Sequence, residues 1–498
     1  MFSNFLCFQN IQKFKFFVCG SFMFSLIFSA NFLNAATILT ENEYIKQVEK
    51  NNKDIQSINL AYQAIEKKAL ELDMTYSPYL DSSFTKSGDS SGSSSSSLPI
   101  KDINSNVLNM SLIKKYESGS KVNIGYSFIN SDINLTKATN IYGSDVTSFS
   151  SYQMTPTISF EQSLLRDYKG RITSAGIKKT KATLRANQYS LLSKKQQILV
   201  QAKAAYWKLS YCRDVIQFRK ASLERTEKIL KWNQKKAALN LAEKADVLES
   251  SASYSLKNLN LELAIESEIT AARTFNQFLG ETKDIVDFEL EKLKDKKNYY
   301  LAIELIKNGE RADVLAQKYV LKNSEYADIE TKYNAMPELK FLGSYSLSGS
   351  GTKFSDSTEQ VKDWEKPSYS FGLSLIVPLD YKKLRTIKEG YNHETLSSKK
   401  SVESAELSAK NDWENLLKTW KNVKNRLVFS ETIRKIQEER VQNEQNLLDK
   451  GRTTTFLFLS AQNDFDDATL NVLGIILEEI TTYIQMDLYN NSDIGEIK

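Results

Sequence analysis

Two hydrophobic periods share this chain. In SYSFGLSLIV (368–377), Tyr369, Phe371, Leu373, Leu375 and Val377 fall on one side, with Ser370, Gly372 and Ser374 on the other. A period of two predicts a strand whose faces meet different surroundings. In a soluble sheet the apolar side meets a core; in a membrane barrel it meets lipid, and small polar residues line the lumen. Leu339, Phe341, Gly343, Tyr345 and Leu347 repeat the pattern. NVLNMSLIKKYESGSKVNIGYSF (106–128) holds two more alternating runs about a Glu-Ser-Gly turn, which predicts a β-hairpin over 106–130. The Ser-rich GDSSGSSSSSLP (88–99) ahead of it can bury little surface and is expected as an exposed loop.

The period then lengthens. SFEQSLLRDYKGR (159–171) and SLIVPLDYKKLR (374–385) both pass from strand-like residues through an Asp-Tyr-Lys, at Asp167-Tyr168 and Asp380-Tyr381. From Asp167 to Asn240 and from Asp380 to Gly451 there is no proline, and glycine is nearly confined to the first turns. Each stretch predicts one unbroken helix; at 1.5 Å per residue such a rod reaches roughly 100 Å. Asn240 and Gly451 are residue types that tolerate a left-handed turn, and a second helix returns from each, towards Gly280 and Asn490.

The halves keep a common frame. Asp54 and Asp313 lie 259 residues apart, as do Pro78 and Pro337. Between these landmarks run helical patterns (Ile58, Ala61, Ile65, Leu72 and Val320, Ala327, Ile329) that each proline ends. The expected organisation is a first repeat over 37–280, a linker over 281–306, a second repeat over 307–490 and a tail over 491–498. Residues 1–36 are expected to be an export signal: Lys13 and Lys15 precede an apolar run too short to span a bilayer.

Composition narrows the chemistry. Six Pro and 18 Gly in 498 residues suit long elements, and a net charge of +5 without a dense basic patch argues against nucleic-acid binding. Without the leader one cysteine remains, Cys212, so no internal disulfide is expected, and the rest of the chain has no apolar run long enough for a membrane helix. The one histidine, His393, has no partner for a metal site or a triad, and there is no phosphate-binding glycine loop. No cofactor, no metal and no enzymatic activity are expected. Cys212, Trp207, Trp232, Trp413 and Trp420 read as packing residues.

Several stretches together resemble the TolC family of outer-membrane efflux proteins, over about 40–490. They are EQSLLRDYKG (161–170), AKAAYWKLSYCRDVIQFRKASLE (202–224), NLAEKADVLESSASY (240–254) and DKGRTTTFLFLSAQNDFDDA (449–468). The resemblance implies a mixed α and β fold in which three copies share one outer-membrane β-barrel, continued by an α-helical coiled-coil tunnel through the periplasm. It implies a passive export duct serving a tripartite efflux or type I secretion complex, with a periplasmic adaptor and an inner-membrane pump of RND or ABC type. Tyr369, Phe371, Leu373, Leu375 and Val377 would then face lipid. Asp167, Tyr168, Asp380 and Tyr381 would mark the strand-to-helix joints. Asn240, Leu241, Asp246, Gly451 and Arg452 would lie at the periplasmic tip, where the adaptor docks.

Leu457 and Ser460 stand where some members carry entrance aspartates. A charged gate would instead draw on Asp246 with Arg452, or on Asp464, Asp466 and Asp467. Members usually give four strands per chain; the extra hairpin either raises this to six or folds above the barrel. Two other readings remain at this point: an exported coiled-coil structural or adhesin protein, and a periplasmic adaptor.

Overall fold

The computed structural model describes residues 38–94, 99–141, 144–239, 243–295, 309–364 and 366–489. The expected leader, Asn240 and Leu241, part of the Ser-rich segment, the second half of the expected linker and the tail lie outside them.

The chain opens with α1 (Glu41–Asn51), started by a capping box: the Thr40 hydroxyl accepts from the Glu43 N–H, and the Glu43 carboxylate accepts from the Thr40 N–H. Asn52 caps α2 (Lys53–Lys68) by accepting from the N–H groups of Asp54 and Ile55. A short helix, α3 (Leu70–Thr75), leads to Pro78, after which the chain is extended. Four long strands follow: β1 (Tyr79–Asp89), β2 (Pro99–Lys115), β3 (Ser120–Ile141) and β4 (Ser144–Ser163). Next come α4 (Arg171–Ala238), a single helix of 68 residues, then α5 (Lys244–Leu279) and α6 (Ala312–Asn334). Strand β5 (Glu338–Leu347), helix α7 (Phe354–Lys362) and strand β6 (Pro367–Ile376) precede α8 (Tyr381–Asp449), of 69 residues, and α9 (Thr455–Met486).

The six long strands form one antiparallel sheet whose spatial order follows the chain, β1 to β6. Strand β4 pairs with β5 although α4, α5 and α6 intervene. The hairpin expected at 106–130 is the β2–β3 pair. It stands inside the sheet rather than above it, and its strands run further than the alternation suggested. Among the described residues the first half therefore supplies four long strands and the second two, and the sheet stays open at β1 and β6.

The main core sits about halfway along α4. Tyr206, Trp207 and Leu209 there are fully buried against Tyr44 and Val48 of α1, Phe275 of α5, Val423 of α8 and Ile476 of α9. Tyr44 stacks on Phe275 with ring centroids 4.1 Å apart, and its hydroxyl donates to the Phe275 carbonyl. The Tyr206 hydroxyl donates to the Leu39 carbonyl and the Trp207 indole N–H to the Glu41 carboxylate, so polar ends of buried aromatics are satisfied. The two-residue strands Ile38–Leu39 and Glu289–Leu290 pair beside this core. Arg213 anchors the same segment through the carbonyls of Val286 and Phe288. The tryptophan and Cys212 are thus packing residues, and burial pushes the Cys212 thiol upward, away from the reactive thiolate.

Candidate functional site

The sheet has two chemically distinct faces. One row of register partners crosses all six strands as Leu80, Leu112, Ile124, Ile158, Tyr345 and Tyr369. Neighbours on the same side extend it: Phe84 and Leu108 in one direction, Phe371, Leu373 and Leu375 in the other. On β6 the side chains of Tyr369, Phe371, Leu373 and Leu375 are 62 to 73% exposed, while Val377, just past the strand, is 38% exposed. The opposite side of the same rows is small and polar, with Ser111, Gly125, Thr157, Ser346 and, further along, Asn109, Ser127, Ser344 and Ser370. Near the helical end this side carries ions: Lys340 bridges Glu161 at 2.8 Å and Glu338 at 3.2 Å.

The two Asp-Tyr-Lys stretches sit where strand passes to helix. Asp167 accepts from the N–H of Ile172 at 2.7 Å, the N–H of Thr173 at 3.1 Å and the Thr173 hydroxyl at 2.6 Å. It thereby satisfies donors that an isolated helix start leaves unpaired. Gly170, at φ 71°, lies against the β2–β3 turn so closely that a Cβ would come within 1.7 Å of the Glu117 carbonyl oxygen. In the second half Asp380 accepts from the Lys383 N–H at 3.1 Å, and the Lys383 ammonium holds its carboxyl below the ordinary carboxylate range. Tyr168 stacks under Lys169 and Arg171, whereas Tyr381 is well exposed. Asp167→Ala is expected to lower stability by about 1–2 kcal/mol, the scale of a lost N-terminal cap. Thermal unfolding should show it, with a smaller fall for the exposed Asp380→Ala.

At the far end, Gly451 takes φ 68° and closes α8, with N–H bonds from Gly451 to Leu448 and from Arg452 to Leu447. Among the described residues no ion pair joins Asp246 to Arg452. Asp246 acts there through its backbone. Its carbonyl accepts from the Asn233 amide at 3.2 Å, and the Asn233 oxygen accepts from the Thr455 hydroxyl at 3.4 Å. This buried asparagine links α4, the start of α5 and the start of α9.

The neighbouring aspartates divide by face. Asp464 pairs with Arg440 of α8 at 2.6 Å and is partly exposed. Asp466 is completely buried and accepts from Lys257 of α5 at 2.6 Å, from Arg225 of α4 at 3.1 Å and from the Ser222 hydroxyl. Lys257 is itself buried. The buried carboxylate and the Lys257 side chain meet directly, and the serine and arginine donate to the remaining lone pairs. Lys257 is one of only two lysines on α5, and nothing in the local sequence marks it; the packing alone sets it apart.

Beside this cluster a groove of about 650 Å³ runs between α4, α8 and α9, lined by Trp232, Arg225, Gln442, Gln445, Phe458 and Gln462. Lys236 caps the Trp232 ring at 3.6 Å. Leu239, Leu248, Phe456 and Leu457 are large apolar side chains left exposed at the same end.

No protein-family profile and no curated protein sequence matches this chain. Solved structures do. The outer-membrane channel OprN superposes with a TM-score of 0.61 at 13% identity, over 90% of this chain and 89% of that one. The CmeC outer-membrane channel of Campylobacter jejuni gives 0.60 at 12%, over 90% and 85%. The MtrE outer-membrane channel of Neisseria gonorrhoeae gives 0.61 at 13%, over 90% and 88%. At such low identity what is shared is the backbone arrangement of long helical rods on an antiparallel sheet. The chain has the fold of the TolC-family outer-membrane channels.

Proposed function

We propose that the chain is one of three identical subunits of an outer-membrane export duct. The sheet forms part of a barrel wall, with Tyr369, Phe371, Leu373, Leu375 and Val377 towards lipid, and the paired rods continue the wall as a tunnel through the periplasm. The observation that carries this reading is the two-faced sheet. An apolar row that crosses six strands, with Leu80, Leu112, Ile124, Ile158 and Tyr369 exposed and Tyr345 half-buried, suits contact with lipid, while its reverse side offers the small polar residues of a wet lumen. No described helix is long and apolar enough to cross a membrane.

The duct does no covalent chemistry and takes its energy from an inner-membrane pump, through a periplasmic adaptor that docks at the tip. Leu239, Leu248, Phe456 and Leu457 supply the apolar contacts there, beside Gly451 and Arg452. A purely coiled-coil adhesin or an adaptor has no use for such a sheet. Purified protein added to planar lipid bilayers is expected to give discrete, long-lived conductance steps. Recovery of the native protein in the soluble periplasmic fraction, with no conductance, would remove the proposal.

A further inference from the structure

We infer that the membrane barrel of this protein is built from eighteen strands, six from each copy, closed by pairing β6 of one copy with β1 of the next. The inference rests on the trimeric duct proposed above and goes beyond it in strand number, edge partner and register.

The sheet carries its own record of tilt. In the apolar row from Leu80 to Tyr369, Leu80 is the lower end of the apolar run on β1, which continues to Phe84. On β6, Tyr369 is the upper end of a run that continues the opposite way to Leu375. The middle of the apolar band therefore moves by about five residues between the edges, roughly 17 Å at the rise of a strand. Five interstrand steps of roughly 4.8 Å separate the edges. The band thus crosses the strands at an angle that tilts them roughly 35° from the membrane normal, the lower end of the range for membrane barrels.

The β2–β3 pair obeys the same rule. Met110 and Tyr126 face each other on the apolar side, with Asn109 and Ser127 paired on the polar side. A hairpin folded above the membrane would have no reason to keep this order at the band's height. All six strands therefore span.

Six strands cannot close alone around side chains of this size, and both edges leave unpaired backbone groups that lipid would not tolerate. The edges match in length, with β1 of 11 residues and β6 of 10, and both carry exposed apolar side chains on the same face. Continuing the shear by one more step brings Ser82 of the next copy opposite Leu373, with Leu375 the adjacent register on that face. Eighteen strands tilted by this amount enclose a backbone diameter of roughly 34 Å, in the size class of barrels that hold an aqueous channel.

Paired cysteines test the closure in a chain lacking Cys7, Cys19 and Cys212. Ser82→Cys combined with Leu373→Cys or with Leu375→Cys is expected to oxidise to a ladder on denaturing gels that ends at three chains. Ser82→Cys with Ser374→Cys, on opposite faces, is expected to stay monomeric. A disulfide only within one chain, or equal linkage of the opposite-face pair, would overturn the edge pairing. A ladder ending at another number would remove the trimer, and with it the total of eighteen, while leaving the β6–β1 contact in place. Electron cryomicroscopy of the unsubstituted protein gives an independent count; eighteen strands around three copies is the expected result, and twelve would sink the inference.

Discussion

Asp466→Ala is expected to loosen the far end of the helical rods more than any other single change there. The substitution removes the carboxylate but leaves Lys257 buried between α5 and α9 without its counter-charge. Breaking a buried pair from one side costs about 3–5 kcal/mol, because the surviving ion can neither reach water nor find a partner. Asp466 lies 11 residues into α9, on the order of 16 Å from its tip end. The loss therefore falls where α4, α5 and α9 are held together. A lowered unfolding midpoint in detergent and a larger or more frequent open conductance in bilayers are the two readouts. Asp466→Leu combined with Lys257→Met should recover most of the midpoint, since it removes both charges together. An Asp466→Ala protein that melts like the parent would show that the cluster does not hold these helices.

Trp207→Ala is expected to cost about 3–5 kcal/mol, the usual range for truncating a large buried aromatic. Trp207 is completely buried, packs edge-on against Tyr206 with centroids 5.1 Å apart and gives its N–H to Glu41 at 3.0 Å. The damage should appear first in α1, which depends on this contact and on Tyr44 to stay on the rods. Limited proteolysis that cuts near residues 40–52 well before the long helices are attacked would register it. Trp207→Phe keeps most of the apolar volume and should lose only about 1 kcal/mol for the hydrogen bond. If both variants resist protease like the parent, α1 is held by something other than this core.

Much of the fold was legible because the strongest local signals were also the true ones. The absence of proline between Asp167 and Asn240 and between Asp380 and Gly451 foretold α4 and α8 nearly to their ends. The alternation at Tyr369–Leu375 and in 106–128 foretold β6, β2 and β3. The sheet's order was not legible, because β4 meets β5 only after two long helices and α6 have intervened, and no local pattern encodes that pairing.

The partners of the tip residues were less legible, for a related reason. Asp464, Asp466 and Asp467 look alike in NDFDDA, and only the facing of α9 decides that one pairs outside with Arg440 and another is sealed against Lys257. Asp246 stands out in the sequence for its charge, yet its carbonyl is what Asn233 holds. The repeated Asp-Tyr-Lys acquired a cause that its spacing could not supply. In each half the aspartate accepts N–H groups at the start of a long helix, with more bonds at Asp167 than at Asp380.

The unbroken length of α4 makes the chain a lever. Its 68 residues extend on the order of 100 Å, so a rotation of about 1° at the base carries the far end by roughly 1.8 Å, enough to break a hydrogen bond. Gly170 pressed on the Glu117 carbonyl, and Asp167 locked to Ile172 and Thr173, leave little slack at that fulcrum. A tolerance of a few tenths of an ångström beside the sheet is thereby amplified into the alignment of Asn233, Asp246 and Thr455 at the other end. Errors in the joint should therefore register as faults in closure rather than as faults in insertion.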